Sequence, residues 1–282
     1  MTKSRNKISV AALQTKGSRD MDGNLQNAIE AVERAARKGA KIICLPELYR
    51  TIYFPQYPKR DFRKFAEEIP GESTRAFAAI AKRYKAVVIV PVYEKRDGRY
   101  LNSAAVIDHT GKLLPVYEKI HIPHDPLFYE KHYFEGGKAG YRIYRTKYAT
   151  FAVLICYDQW FPEAARMAAL GGAEIIFYPT AIGYPVSGKP AGEDWHDAWE
   201  TVMRGHAIAN GIHVVGVNRV GREDKLVFWG QSFGCDSFGK LLGRASSKKE
   251  QVLYMKFDLG YNKEIRDSWG FFRNRRKDTY RL

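Results

Sequence analysis

The stretch ATFAVLICYDQWFPEAARMAALGGAEIIFY, residues 149–178, carries two apolar runs with a helix-forming segment between them. Ala149–Cys156 has the length and apolar content of a buried strand, Pro162–Leu170 reads as a helix, and Ala173–Tyr178 as a second strand. The alternation continues on either side. Downstream, Trp195–Asn210 is a long amphipathic helix that precedes the strand HVVGVN (213–218). Upstream, ISVAALQ (8–14) is a strand. From Asn24 to Arg37 the residues Leu25, Ala28, Ile29, Val32 and Ala36 recur at helical spacing, and Gly39 supplies a stop. KIICL (41–45) is an almost unbroken apolar run, as expected of a strand covered on both faces. Ser73 is placed to cap a helix running to Lys85, ahead of the strand AVVIVPVYE (86–94). Segments around Ser103–Asp108 and Lys112–Glu118 flank Thr110-Gly111 and predict a hairpin. Strands alternating with helices, with hairpins added, predict an α/β fold of mixed sheets with helices outside.

No internal repeat, low-complexity segment or linker divides the chain, so residues 1–282 are expected to form one domain. With 45% apolar and 13% aromatic residues, enough surface can be buried to offset the ordering entropy, which excludes intrinsic disorder. No run approaches the ~20 consecutive apolar residues of a membrane span. MTKSRNK followed by ISVAAL lacks a signal-peptide core and cleavage site, so a cytoplasmic location is expected. Cys44, Cys156 and Cys235 are odd in number and far apart, and make neither a disulfide framework nor a zinc-finger spacing. The 46 Lys+Arg against 31 Asp+Glu give a net charge of +15, which would attract any polyanion. The basic residues are scattered, however, in clusters such as Lys59-Arg60, Arg142–Lys147, Lys248-Lys249 and Arg273–Lys277, which favours a basic soluble surface over nucleic-acid binding. His121, His124 and His132 lie near Asp125, but their spacing fits no common zinc pattern, and no metal or other cofactor is expected. After Leu259 the chain turns aromatic and basic with no clear period and is expected to be extended. Left alone it would expose Trp269, Phe271 and Phe272, so residues 260–282 are expected to pack at a subunit interface of a homo-oligomer.

Three polar residues stand at the ends of apolar strands, where open α/β sheets keep their sites. Glu47 follows KIICLP, Lys119 follows LLPVYE, and Cys156 follows TFAVLI. Singly, each has an ordinary explanation: a packed small hydrophobe, a cap or ion-pair partner, a solvated lysine. Jointly they suit acyl transfer without a histidine. A thiol of ordinary pKa ~8.5 needs a base, a buried glutamate can take and return its proton, and an ammonium can hold an oxyanion. The chain turns sharply after Cys156, which frees backbone N–H groups such as that of Tyr157 to join the ammonium.

These segments resemble the nitrilase (carbon–nitrogen hydrolase) superfamily over nearly the whole chain, from ISVAALQ to RDSWGFFRNRRKDTY. The resemblance puts the family's catalytic glutamate on Glu47 in LPELY, its lysine on Lys119 in YEKIHIP, and its nucleophile on Cys156 in LICYDQWFPE. A second family glutamate, which orients the lysine, matches Glu130 in FYEKHYFEGG. The implied fold is a four-layer αββα sandwich of two mixed sheets, paired into an αββα–αββα dimer. Within the superfamily, CYDQWFPEAARMAALGGAEIIFYPTAIG and the tail look most like the N-carbamoylputrescine amidohydrolases. That likeness implies a small-molecule substrate, a linear ureido-amine cleaved to putrescine, carbon dioxide and ammonia. Tyr157 stands where close relatives often carry tryptophan, which bears on pocket shape rather than on its backbone N–H. A cationic substrate end needs an acidic or aromatic receptor. Glu193 and Trp195, after the Pro185–Pro190 loop, are expected to supply it, with Trp160 and Tyr53 as aromatic walls, although Asp194 between them equally suits a helix N-cap. An N-carbamoyl β-amino acid or an ω-amide remains an alternative substrate, and a non-catalytic basic scaffold an alternative role.

Overall fold

Side chains along β1 (Lys7–Gln14) alternate between two apolar layers, as a pleated strand requires. Val10 and Ala12 enter a core shared with a second sheet, while Ala11 and Leu13 join a layer with the helices α1 (Met21–Arg37) and α2 (Glu72–Tyr84). The structure, a computed structural model, describes residues 7–189 and 191–280. The signal-peptide reading of Met1–Asn6, and the parts of the loop and tail at Pro190, Arg281 and Leu282, lie outside the described residues.

The first sheet also contains β2 (Ile42–Cys44), β3 (Val87–Arg96), β4 (Arg99–Ile107), β5 (Tyr117–Glu118) and, at its other edge, β15 (Gln251–Asp258). Its order is β15-β1-β2-β3-β4-β5, with β1, β2 and β3 parallel and the flanking pairs antiparallel. The second sheet contains β6 (Ile143–Arg145), β7 (Thr150–Val153), β8 (Ile175–Pro179), β10 (His213–Val217), β13 (Phe233–Cys235) and β14 (Leu241–Arg244). It repeats the plan in the order β14-β13-β10-β8-β7-β6, again with three parallel strands in the middle. A small antiparallel sheet of β9 (Gly183–Pro185), β11 (Val220–Glu223) and β12 (Leu226–Trp229) closes one end. Helices α3 (Pro162–Leu170) and α4 (Trp195–Asn210) pack on each other and on the second sheet, so the layers run αββα.

Several local expectations change. The strand expected over Ala149–Cys156 ends at Val153, and Cys156 opens a short 3₁₀ turn to Trp160. Gly71, not Ser73, precedes α2, and its N–H is taken by the Thr74 hydroxyl at 2.8 Å; Ser73 instead bonds Glu67 and Tyr49. The hairpin expected around Thr110-Gly111 is present, its second arm pairing antiparallel with β4 through Leu113 and then Tyr117–Glu118, but β3 and β4 add an unexpected tight hairpin around Asp97-Gly98. The tail is not extended: Gly260–Trp269 forms α5, closed by Gly270 at φ 65°. Phe272 folds back among the guanidinium groups of Arg166, Arg266 and Arg275, each 4.8–5.1 Å from its ring centre. Among the described residues no helix is long and apolar enough to cross a membrane.

Candidate active site

The carboxyl ends of the parallel strands are where the chemistry-bearing side chains gather, as open α/β sheets require. Glu47 follows β2, Cys156 follows β7, and Arg219 follows β10. Lys119 follows β5, which runs antiparallel to β4 and therefore ends on the same side as β3. Glu130 enters from a 3₁₀ turn over Glu130–His132.

Glu47, Lys119 and Glu130 have no solvent exposure at their side chains, so each charge depends on the others. Lys119 Nζ donates to Glu47 Oε1 at 2.8 Å and to Glu130 Oε2 at 2.6 Å. Tyr53 Oη donates to Glu130 Oε1 at 2.7 Å, and Asn102 Nδ2 donates to Glu47 Oε1 at 2.7 Å. Glu47 Oε2 is buried without a hydrogen-bond partner among the described residues, which leaves it the one carboxylate oxygen of the cluster free to take a proton. Burial pulls the Lys119 ammonium down, but the Glu130 and Glu47 carboxylates outweigh it and hold the ammonium above its ordinary value. Burial raises Glu130 to about 7, with Lys119 opposing.

Cys156 is nearly buried, and its backbone sits at φ 44°, a conformation that a side chain with a β-carbon adopts only when its surroundings impose it. Burial pushes its thiol well above the ordinary value, Glu47 adds to that, and Lys119 opposes. The resting sulfur is therefore a thiol that needs a base beside it. As second residue of its 3₁₀ turn, Tyr157 has no acceptor within the turn for its N–H. The Tyr157 ring is half-buried against Phe161.

The structure thus brings together Glu47, Tyr53, Lys119, Glu130, Cys156 and Tyr157. Tyr53 sits there as a fully buried hydroxyl donor to Glu130 rather than as an open wall, and half-buried Trp160 ends the turn that Cys156 opens. Glu193 and Trp195 form a separate pair at the start of α4: Glu193 is exposed and accepts from the Trp195 indole, which packs against Tyr184 at 5.7 Å. Asp194 between them caps α4 through the Asp197 N–H at 3.1 Å and binds Lys189. His121 pairs with Asp158, the His124 and His132 rings meet at 4.7 Å, and among the described residues no cluster suits a metal ion.

A family model described as carbon–nitrogen hydrolase matches residues 9–267. The chain belongs to the carbon–nitrogen hydrolase family. This hydrolase is 41% identical to an N-carbamoylputrescine amidase of Solanum lycopersicum, over 98% of its own length and 94% of the relative's. It is 37% identical to a citrullinase of Francisella tularensis, over 97% of its own length and 96% of the relative's. The crystal structure of a carbon–nitrogen hydrolase from Helicobacter pylori G27 superposes with a TM-score of 0.92 at 37% identity, covering 97% of both chains.

Sequence reasoning passed over four residues that hold this hydrolase's site in place: Asn102, Asp158, Arg219 and Glu223. Asn102 interrupts the apolar strand LNSAAVI, and a polar side chain there is a visible signal of a buried partner. Arg219 and Glu223, both almost without exposure, are bridged at 3.1 Å, and Glu223 accepts the Tyr53 N–H at 2.8 Å. Nothing in their local sequence distinguishes them from an exposed strand pair.

Proposed function

We propose that this carbon–nitrogen hydrolase cleaves N-carbamoylputrescine to putrescine, carbon dioxide and ammonia, with Cys156 as nucleophile, Glu47 as general base and acid, and Lys119 as oxyanion donor. The observation that carries the reading is the buried chain Tyr53–Glu130–Lys119–Glu47, which leaves one free carboxylate oxygen in the cluster that shifts the Cys156 thiol. Glu47 Oε2 takes the thiol proton as the sulfur attacks the ureido carbon. Lys119 and the Tyr157 N–H hold the resulting oxyanion. Glu47 returns the proton to the departing ammonia, leaving an S-carbamoyl thioester. It then draws a proton from water, whose oxygen attacks the same carbon and releases the thiol. The carbamic acid formed loses carbon dioxide to give the diamine, so one water is consumed per turnover. Glu130, held by Tyr53, keeps the ammonium aimed while its second contact goes to Glu47. The substrate is supported by the amidase relatives of this chain, whose match runs through both ends of the site. A homo-oligomer with residues 260–282 at the subunit boundary is supported by the exposed Trp269, Phe271 and Tyr280.

Ammonia release from N-carbamoylputrescine by wild type and Cys156→Ala tests this, with citrulline, N-carbamoyl-β-alanine and a simple ω-amide alongside. Release from the first compound, abolished in the variant, is the expected result. Loss of the Lys119 donor in Lys119→Ala should slow turnover by about 10²–10³-fold. Release from another compound alone would retain the mechanism and overturn the substrate. Full activity of Cys156→Ala would overturn the mechanism.

A further inference from the structure

Two segments must be held in register for the proposed reaction: the end of β5, which carries Lys119, and the 3₁₀ turn, which carries Cys156. They belong to different sheets. One side chain joins them. Asp158 is completely buried and accepts four hydrogen bonds. Its Oδ1 takes the His121 backbone N–H at 3.0 Å and meets His121 Nδ1 at 2.7 Å. Its Oδ2 takes the Tyr117 hydroxyl at 2.7 Å and the Ile155 N–H at 2.9 Å.

Tyr117 and His121 each lie two residues from Lys119, on either side of it, while Ile155 immediately precedes Cys156. One carboxylate therefore fixes the lysine's segment at two points and the nucleophile's segment at a third. A second contact reinforces the clamp. The His121 ring lies flat on Phe161, the residue immediately after the turn, with centroids 3.7 Å apart and planes at 8°. The Asp158 N–H also bonds the Ile155 carbonyl at 3.1 Å, closing a small ring around Cys156 at its φ of 44°.

We infer that Asp158 is a positioning residue for the hydrolysis: it sets the distance between the Lys119 ammonium and the Cys156 sulfur. An amide cannot replace the carboxylate. Asparagine presents one acceptor oxygen, and its NH₂ would face either the Ile155 N–H or the His121 N–H, donor against donor. Buried donors left without an acceptor push the two segments apart. The inference rests on the proposed roles of Lys119 and Cys156, and not on the identity of the substrate.

The test is a double-mutant cycle of Asp158→Asn with Lys119→Ala, read as kcat and KM for ammonia release together with thermal melts. Asp158→Asn alone should lower kcat about 100-fold with KM within about threefold, and Tyr117→Phe, which removes one bond and keeps the ring, about tenfold. In the Lys119→Ala background the same Asp158 change should cost less than about threefold, because a misplaced ammonium cannot be lost twice. Additive losses, or a fallen Tm with unchanged kcat in Tyr117→Phe, would overturn the inference. If wild type releases no ammonia from N-carbamoylputrescine, the substrate is wrong, and the same cycle is read from the rate of Cys156 alkylation by iodoacetamide. There, slower alkylation in Asp158→Asn but not in the Lys119→Ala background supports the inference, and equal slowing in both overturns it.

Discussion

Two carboxylates and one ammonium, all removed from solvent, leave the Glu47–Lys119–Glu130 cluster with one negative charge in excess. Burial is what raises Glu130 to about 7, and Lys119 only limits the rise. Near neutrality the cluster therefore binds a proton that belongs to the group as a whole. With that proton on, the general base of the proposed reaction loses its driving force, so kcat/KM should fall below about pH 7. Isosteric Glu130→Gln removes the excess charge, and its acid limb should move at least about one unit lower. An unmoved limb would assign the titration to another group. The stability sign follows from the same shift. Glu130 lies above its ordinary 4.5, so its contribution is complete below that value and is lost as pH rises through about 7. Thermal melts should show Glu130→Gln gaining on wild type between pH 5 and pH 8; parallel melts at both would contradict this. Glu47, Lys119 and Cys156 were legible because each is a polar residue ending an apolar run. Asp158 was not, since an acidic residue two places after a strand reads as a solvated turn until Tyr117 and His121 are seen against it.

The elements that carry these residues are held by a second buried ion pair. Arg219 immediately precedes β11 and Glu223 ends it, and between them they bind the Thr51 carbonyl, the Tyr53 N–H and the Gly17 N–H. Gly17 permits this approach: a β-carbon there would stand 1.6 Å from the Arg219 guanidinium. Burial lowers Arg219 and raises Glu223, the signature of charges that need one another. Arg219→Ala would leave a buried carboxylate unpaired and should cost about 3–5 kcal/mol in chemical denaturation. Arg219→Met with Glu223→Gln should recover part of that, and a double variant as unstable as the single would show that packing, not charge, was lost. Strand and helix order was readable from period and apolar runs, but α5 was not. It buries only Asn262 and Ile265, too thin a stripe to show a 3.6-residue period. The break between Val153 and Cys156 was equally hidden, because Leu154 and Ile155 stay apolar and buried after the strand pairing has ended.

For the whole molecule, burial of the parallel strands on both faces explains why mixed sheets with helices outside could be expected from the apolar runs, since KIICL and AVVIV have no polar side to turn to water, while the αββα layering was implied only by the family resemblance. The surface is less self-sufficient. Trp269 is 54% exposed and packs at a tilt between Phe238 and Phe271, themselves exposed, with Ile208 nearby on α4. A contiguous aromatic face of this kind is costly to leave in water. The charge of +15 opposes close association of two copies at long range, but salt screens it beyond ~8 Å, and an apolar contact acts within that distance. Light scattering should therefore give a mass of at least two chains at physiological salt, falling towards one chain in Trp269→Glu with Phe238→Glu. The site of Glu47, Lys119 and Cys156 is assembled within a single chain, so its hydrogen bonds need no second copy. Thiol alkylation at Cys156 should then survive dissociation. A wild type that remains monomeric, or a double variant of undiminished mass, would place the interface elsewhere and leave the aromatic face to another partner.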